Sequence, residues 1–208
     1  MRAFGEIGLD LDQIGADLDA LERFLSEEKH RTERADILPF FKARPNLSAA
    51  LGLTNSAIEA PDRVAFELDL FGDFVCDVAN GDSSTNAFTL IEFEDAQEQS
   101  IFRKLDHGKS MKRWSPRFER GFSQLVDWAW RLSTEGGTSD ALRRVFGNSH
   151  PDVHLLLVVG RDADLTGGDL NRLQWRSRNV SFGSYRMSCF TFDGILQSIR
   201  RRLQLAKQ

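Results

Sequence analysis

Apolar residues recur with two different periods along the chain, and the change of period predicts helices first and strands afterwards. Over residues 9–28 the apolar side chains return every three or four positions, which is typical of an amphipathic helix. The same spacing predicts a second helix over residues 31–42, in which Pro39 is expected to introduce a kink. From residue 62 to residue 70 apolar and polar residues alternate, which predicts a β-strand.

Two more short strands are predicted directly after this one. Residues 71–79 and 87–95 are rich in β-branched and aromatic residues, and a cluster of Gly, Asp, Ser and Asn at 80–86 separates them. Such a cluster is typical of a turn between antiparallel strands. Together with residues 62–70, these strands form a predicted three-stranded meander.

Carboxylates collect on one face of this meander. Because side chains alternate across a strand, Asp73 and Asp77 are predicted on one face of the first hairpin strand, and Glu92 and Glu94 on the same face of the second. The opposite face of the first strand is predicted to be apolar, with Phe74, Cys76 and Val78.

Two interpretations of the acidic face remain open. A solvated face of an antiparallel sheet needs no function. Like charges on adjacent strands, however, destabilise each other unless a cation lies between them. Mg²⁺ is commonly bound by one or two carboxylates together with water and a substrate phosphate. The near absence of other polar residue types on this face favours the metal site.

The second half of the chain alternates predicted helices and strands. Helices are predicted at 118–132, 139–146 and 170–178 and at the C-terminus, and strands at 153–159 and 187–192. The continuous apolar run at 153–159 is typical of a strand that is buried on both faces. Since helices precede it, we expect it to pair in parallel with an earlier strand. The fold class is therefore α/β with a mixed sheet.

Length and composition narrow the class of protein. The 208 residues suffice for one α/β domain with a small helical appendage, and 41% hydrophobic residues are typical of a globular protein. We find no apolar run of membrane length and no signal peptide, so a cytoplasmic location without membrane contact is expected. The two cysteines, Cys76 and Cys189, are expected to be buried and unpaired.

The net charge of −4 argues against indiscriminate coating of nucleic acid, although a local basic patch is compatible with it. Lys and Arg outnumber acids in residues 96–116, directly before a predicted helix that carries Gln124. These groups could meet a phosphate near the acidic face, or they could be an ordinary basic loop and an exposed glutamine. Phosphate-binding, dinucleotide-binding and serine-hydrolase motifs are missing from the sequence.

The order of these elements resembles a known nuclease core. A helix, a meander with acids on its last two strands, a further helix and an apolar strand resemble the PD-(D/E)xK superfamily. More closely, the chain resembles the nuclease domain of the Shedu family of bacterial anti-phage proteins. The resemblance spans nearly all of residues 30–200 and rests on ERADILPFF at 33–41, GDFV at 72–75, LIEFED at 90–95, FSQLVDW at 122–128 and CFTFDGIL at 189–196.

The resemblance implies a fold and a function. It implies an N-terminal helical segment at 1–29 and a restriction-endonuclease-like domain at 30–208, with a three-strand meander in a mixed sheet and flanking helices. It further implies a DNA endonuclease that depends on Mg²⁺ or Mn²⁺ and hydrolyses phosphodiester bonds, of phage DNA or at DNA ends, in anti-phage defence. A homo-oligomer is also implied.

The resemblance assigns roles to individual residues. Asp73 corresponds to the aspartate of the motif, with Asp77 on the same face as the reserve candidate. Glu92 corresponds to the first acid of the (D/E)xK element. Gln124 corresponds to a glutamine near the active site, and Glu33 to an acid that completes the metal shell.

One residue departs from the motif, because Glu94 occupies the position of the expected lysine. An acid cannot replace that positive charge directly. A cation could come from Lys104 or Lys109, or Glu94 could bind a second metal ion; these two solutions are favoured jointly. The alternative is a catalytically inactive nuclease fold that binds DNA or protein and oligomerises. A metal-independent glycoside hydrolase with two carboxylates is a further, weaker hypothesis.

Overall fold

The computed structural model describes residues 3–28, 30–135 and 139–206. In these residues a seven-stranded sheet is flanked by helices on both faces. The strands are β1 (Gly5–Glu6), β2 (Arg63–Leu70), β3 (Phe74–Asp82), β4 (Ala87–Phe93), β5 (Asp152–Val158), β6 (Ser181–Phe182) and β7 (Tyr185–Phe190). The helices are α1 (Leu11–Glu27), α2 (Leu38–Lys42), α3 (Pro45–Ala50), α4 (Pro116–Glu135), α5 (Ser139–Phe146), α6 (Gly167–Asn179) and α7 (Phe192–Ala206).

The sheet is mixed, in the order β1-β2-β3-β4-β5-β7-β6. Strands β2, β3 and β4 pair antiparallel in sequence, which confirms the predicted meander. Strand β5 pairs in parallel with β4 and with β7. Parallel pairing requires a crossover, and α4 and α5 supply it between β4 and β5. The predicted mixed α/β fold is therefore confirmed.

Two apolar layers cover the sheet. One lies under α4, α5 and α6, and the other under α1, α2, α3 and α7. Successive residues of β5 point into opposite layers, with Leu155 and Leu157 in the first and Leu156 and Val158 in the second. This confirms the prediction that the strand is buried on both faces.

The N-terminal helix shares this core. Helix α1 begins after Asp10, whose side chain accepts hydrogen bonds from the backbone N–H groups of Asp12 and Gln13, and it packs against α3 and α7. Both cysteines are buried and free, as predicted. In the part of the chain that the structure describes, no helix is long and apolar enough to cross a membrane.

The second predicted helix is confirmed over residues 33–42, but its first half is π-helical rather than α-helical. Residues Glu33–Ile37 form a π-helical turn, and the α-helical part is only α2. The N–H of Ile37 donates to the carbonyl oxygen of Thr32 at 3.0 Å, five residues back. Pro39 has no N–H for a helical bond and therefore lies in the first turn of α2 rather than at an internal kink.

The predicted apolar face of β3 is also wrong. Cys76 packs under α4, whereas Val78 packs in the opposite layer. The cause is Glu67 on β2, which adopts a left-handed conformation with φ of 49°. Its neighbours pair regularly with β3, but no register pair joins Glu67 to Asp77 in this described hairpin. The side-chain alternation is therefore broken at the position of Asp77.

Candidate active site

A cavity of about 590 Å³ opens at the end of the meander. Its walls come from the π-helical turn, α2, β2, β3, β4 and α4. Five residues that the sequence singled out line it, namely Glu33, Asp73, Asp77, Glu92 and Gln124. The fold thus brings together side chains that are up to 91 positions apart in sequence (124 minus 33).

Asp77 and Glu92 lie on adjacent strands at this cavity. Val78 pairs with Ile91, so the two acids occupy the next positions of β3 and β4. Both are buried, with 9% of Asp77 and 3% of Glu92 exposed. Asp77 Oδ2 accepts a hydrogen bond from the backbone N–H of Phe93 at 2.8 Å. For Glu92 Oε2, the described residues provide no hydrogen-bond partner.

The electrostatics of this pair favour protonation. Burial raises the pKa of Asp77 to about 7, and the charge of Glu33 adds to the effect, while the Phe93 N–H opposes it. Burial raises the pKa of Glu92 well above its usual range, and Asp77 and Glu33 raise it further. Arg120 lowers the pKa of Glu92. Arg34, Lys42 and Arg120 also line the cavity, but their positive charge does not offset the burial of the two acids.

Glu94 lies beside the cavity, buried at the centre of an ion-pair network whose arginines reach the surface. Its Oε2 accepts a hydrogen bond from Arg117 Nη1 at 3.2 Å, and Arg120 Nε is 3.9 Å from its Oε1. Arg117 also pairs with Asp95 at 2.9 Å and with Glu33 at 3.9 Å. Burial, and then Glu33, raise the pKa of Glu94 to about 7, although both arginines lower it. Glu94 is thus held by cations from α4.

A glycine allows α4 to approach the sheet at this point. A Cβ atom on Gly121 would lie 2.8 Å from Leu157 Cδ1 and 2.9 Å from Glu94 Cγ, both too close for a real contact. Arg117, Arg120 and Gln124 occupy the same face of α4, because residues three, four and seven apart share a helix face. The small residue therefore brings two arginines and the glutamine to the acids.

The family of the chain follows from a comparison with protein-family models. The model described as Shedu protein SduA, C-terminal, matches residues 30–196, which is most of the chain. The chain belongs to the Shedu family. This confirms the resemblance, and the family indicates a role in anti-phage defence. The matched residues include the whole cavity. The comparison with curated proteins gives no match.

In this Shedu protein, three of the predicted site residues, Asp73, Lys104 and Lys109, are exposed and lie apart from the buried pair. Asp73 lines the cavity, but it precedes β3, is exposed, and forms an ion pair with Arg131 at 2.9 Å. Lys104 and Lys109 are exposed in the loop before α4, and neither lines the cavity. The acid next to Glu92 is therefore Asp77.

Sequence reasoning missed several residues of this Shedu site. Lys42 and Glu67 form an ion pair and line the cavity. Arg117 and Arg120 were not recognised as partners of Glu94. The signal that could have found them is their helical spacing with Gln124.

The residues fit a divalent cation by their chemistry. Within residues 3–28, 30–135 and 139–206, no group of three or more His, Cys, Asp or Glu is arranged to hold a metal ion. Mg²⁺ does not require such a group, because one or two carboxylates with water and substrate phosphate suffice. Asp77 and Glu92 offer hard oxygen ligands, and one buried oxygen of Glu92 has no partner among the described groups.

Proposed function

We propose that this Shedu protein is a metal-dependent DNA endonuclease with a PD-(D/E)xK core in residues 30–208. The observation that carries the proposal is the buried acid pair, Asp77 and Glu92, on adjacent strands of the meander and open to one cavity. Burying two carboxylates without compensating charge is unfavourable, so such a pair is expected where a cation or substrate supplies the charge.

Asp77 and Glu92 would hold Mg²⁺ or Mn²⁺. Such an ion, when bound, activates water and stabilises the charge that builds up on a phosphodiester during hydrolysis. Asp77 takes the part of the motif aspartate, and Asp73, exposed at the same cavity, is the alternative. Glu33 adds negative charge near both acids.

Two residues of α4 would position the substrate. Arg120 lines the cavity and could contact a phosphate oxygen by charge. Gln124 lines it too, and its amide could orient a water molecule or the phosphate. The charge of the expected motif lysine would thus come from Arg120 of α4. Neither Lys104 nor Lys109 lines the cavity.

The protonation of the pair gives the proposed activity a pH dependence. Asp77, with a pKa of about 7, must lose its proton to bind a cation. Activity should therefore rise as the pH increases through neutrality. Bound metal would shift this rise to lower pH, because a cation stabilises the carboxylate.

A second candidate function is a non-catalytic domain that binds DNA or protein. The observation that favours it is Glu94, which stands where the motif has lysine and is engaged by Arg117 and Arg120. Such a domain would keep the fold and act by binding or by forming a homo-oligomer. Analytical ultracentrifugation tests the oligomer, and a monomer at working concentration would contradict it.

The nuclease is tested by cleavage of linear and supercoiled DNA with Mg²⁺, Mn²⁺ or EDTA. Glu92→Gln removes the charge of the buried acid, and Glu98→Gln is the matched control at an exposed position outside the cavity. We expect metal-dependent cutting by the wild type and the control, and a loss of at least about 100-fold in Glu92→Gln. Cutting by Glu92→Gln at the control rate would contradict the proposal.

A further inference from the structure

A second groove, apolar rather than acidic, lies between α6 and the loop before α4. It encloses about 360 Å³ and is lined by Trp114, Arg172, Trp175, Arg176 and Val180. The nuclease cavity and this groove share no lining residue. The groove has no part in the metal binding proposed for Asp77 and Glu92.

The floor of the groove is a stack of aromatic rings. Trp114 lies with its ring centroid 4.4 Å from that of Phe102 and 4.5 Å from that of Phe118. The Arg172 guanidinium carbon is 4.8 Å from the Phe102 centroid and 5.1 Å from the Trp114 centroid. Above this floor Trp175 is 66% exposed. An exposed tryptophan beside an aromatic floor is typical of a binding surface.

Arg172 and Arg176 line the groove, and the loop that leads to Trp114 carries further cations. Residues 103–113 contain five Lys or Arg and one acid. This loop is fixed to α6, because Arg172 Nη1 donates to the carbonyl oxygen of Lys112 at 2.7 Å and Lys112 pairs with Asp169 at 2.7 Å. Arg103 and Lys104 are exposed in this loop. Positive charge is thus held next to flat aromatic faces.

We propose that this groove binds an unpaired nucleic-acid strand. A base would stack on the exposed ring of Trp175, and backbone phosphates would pair with the exposed cations of the loop. The Trp114 ring supports the groove from below, because it already contacts Phe102, Phe118 and the guanidinium groups of Arg172 and Arg176. Stacking on aromatic rings does not depend on sequence, because every base has a flat face, and the basic residues suit the phosphates. A duplex keeps its base faces covered, so the groove favours a single strand.

The groove is connected to the nuclease cavity through the first turns of α4. Glu119 forms an ion pair with Arg176 of the groove at 2.7 Å. The residue after it, Arg120, lines the acidic cavity. The groove and the cavity therefore meet the same turn of α4 from different faces. The inference deepens the proposed function, on which it rests, by naming unpaired DNA as a bound form of the substrate.

The test is binding of a fluorescent oligothymidylate of about 12 nucleotides. Fluorescence anisotropy is measured with the full chain in EDTA, so that no cleavage occurs. Trp175→Ala removes the exposed ring, and Trp130→Ala is the matched control, since Trp130 is 59% exposed on α4 and does not line the groove. We expect Trp175→Ala to weaken binding about 5- to 100-fold and Trp130→Ala to leave it unchanged.

Four results would contradict strand binding in the groove. The first three are equal affinities of Trp175→Ala and Trp130→Ala, absence of binding by the wild type, and tighter binding of the matched duplex. The fourth is equal competition by polyglutamate, which would show that the site recognises an acidic protein or negative charge alone. The two proposals can fail independently. If Glu92→Gln binds the strand, Trp175→Ala does not, and the wild type does not cut DNA, only the proposed nuclease activity fails. If the wild type cuts DNA and Trp175→Ala binds the strand normally, only the proposed binding groove fails.

Discussion

Two buried carboxylates lie at opposite ends of the hairpin of β3 and β4, and their surroundings differ. Asp82, next to the turn, is 1% exposed and accepts hydrogen bonds from the backbone N–H groups of Glu59, Ala60 and Ser84, each at 2.9 Å. Burial alone would raise the pKa of Asp82, but these donors and the Ser84 hydroxyl bring it well below its usual range.

Glu92, at the other end, is almost as little exposed to solvent but is not satisfied. The described residues leave its Oε2 without a hydrogen-bond partner, and burial together with Asp77 raises its pKa. Solvent exposure therefore does not separate the two acids; Glu92 lies deeper in the protein and lacks the hydrogen bonds that Asp82 accepts. We infer that Asp82 stabilises the turn, whereas Glu92 is expected to gain its partner from a bound cation or substrate.

The largest expected effect is the loss of the satisfied acid. Asp82→Asn replaces an acceptor oxygen by an NH₂ group that faces N–H donors, so stability should fall by about 3 to 5 kcal/mol. Urea unfolding measures this change. Cleavage per folded molecule should remain normal, and a stable Asp82→Asn protein would contradict the structural role.

The second-largest effect is expected at Glu92, where cleavage should fall and stability should not. Glu92→Gln should reduce cleavage at least about 100-fold and leave stability equal or higher, because an amide neither buries a charge nor has to take up a proton when the protein folds at neutral pH. Urea unfolding and DNA cleavage on the same preparation measure both. A destabilised Glu92→Gln protein would show that this acid, like Asp82, supports the fold.

A buried histidine, His154, provides a third buried ionisable group to compare with Asp82 and Glu92. His154 on β5 is 8% exposed, with Ser188 Oγ 3.0 Å from its Nε2, and burial, then Arg186, lower its pKa from 6.5 to about 4. The unfolded chain therefore takes up the proton first, and the stability present above pH 6.5 is lost as the pH falls. The loss is about 2 kcal/mol between pH 8 and pH 5.

Comparison of His154→Gln with the wild type isolates this contribution. Urea unfolding of both proteins is measured at pH 8 and at pH 5. The difference in stability between them should shift by about 2 kcal/mol in favour of the variant at the lower pH. An unchanged difference would mean that His154 is not held neutral by the fold.

The smallest effect is expected at the exposed aspartate. Asp73→Asn breaks a surface ion pair with Arg131, which should change stability by less than about 1 kcal/mol and leave cleavage nearly normal. Asp77→Asn should abolish cleavage. DNA cleavage by the two variants side by side decides between the aspartates, and the reverse pattern would restore Asp73 as the metal ligand.

Local patterns predicted most of the fold, and they failed where two strands interact. Alternation along residues 62–95 predicted the meander, because each strand buries a regular set of side chains. It failed at Cys76, because the left-handed conformation of Glu67 on the neighbouring strand breaks the alternation. A backbone irregularity on one strand cannot be read from the sequence of the other.

The candidate site was predicted in part for the same reason. The acids were found because they lie close together in sequence on one hairpin. Their cations, Arg117 and Arg120, were not found, because they reach Glu94 only through the close approach of α4 that Gly121 allows. Tertiary contacts of this kind leave only a weak spacing signal in the sequence.

The proposed metal site is tested most directly by Mn²⁺ binding at pH 8, measured by the electron paramagnetic resonance signal of free Mn²⁺. We expect the wild type and Glu98→Gln to bind the ion and Glu92→Gln to lose it, because the unsatisfied acid of the cavity is its ligand. Equal binding by the wild type and Glu92→Gln, or binding by neither, would contradict the claim that a cation completes the buried pair.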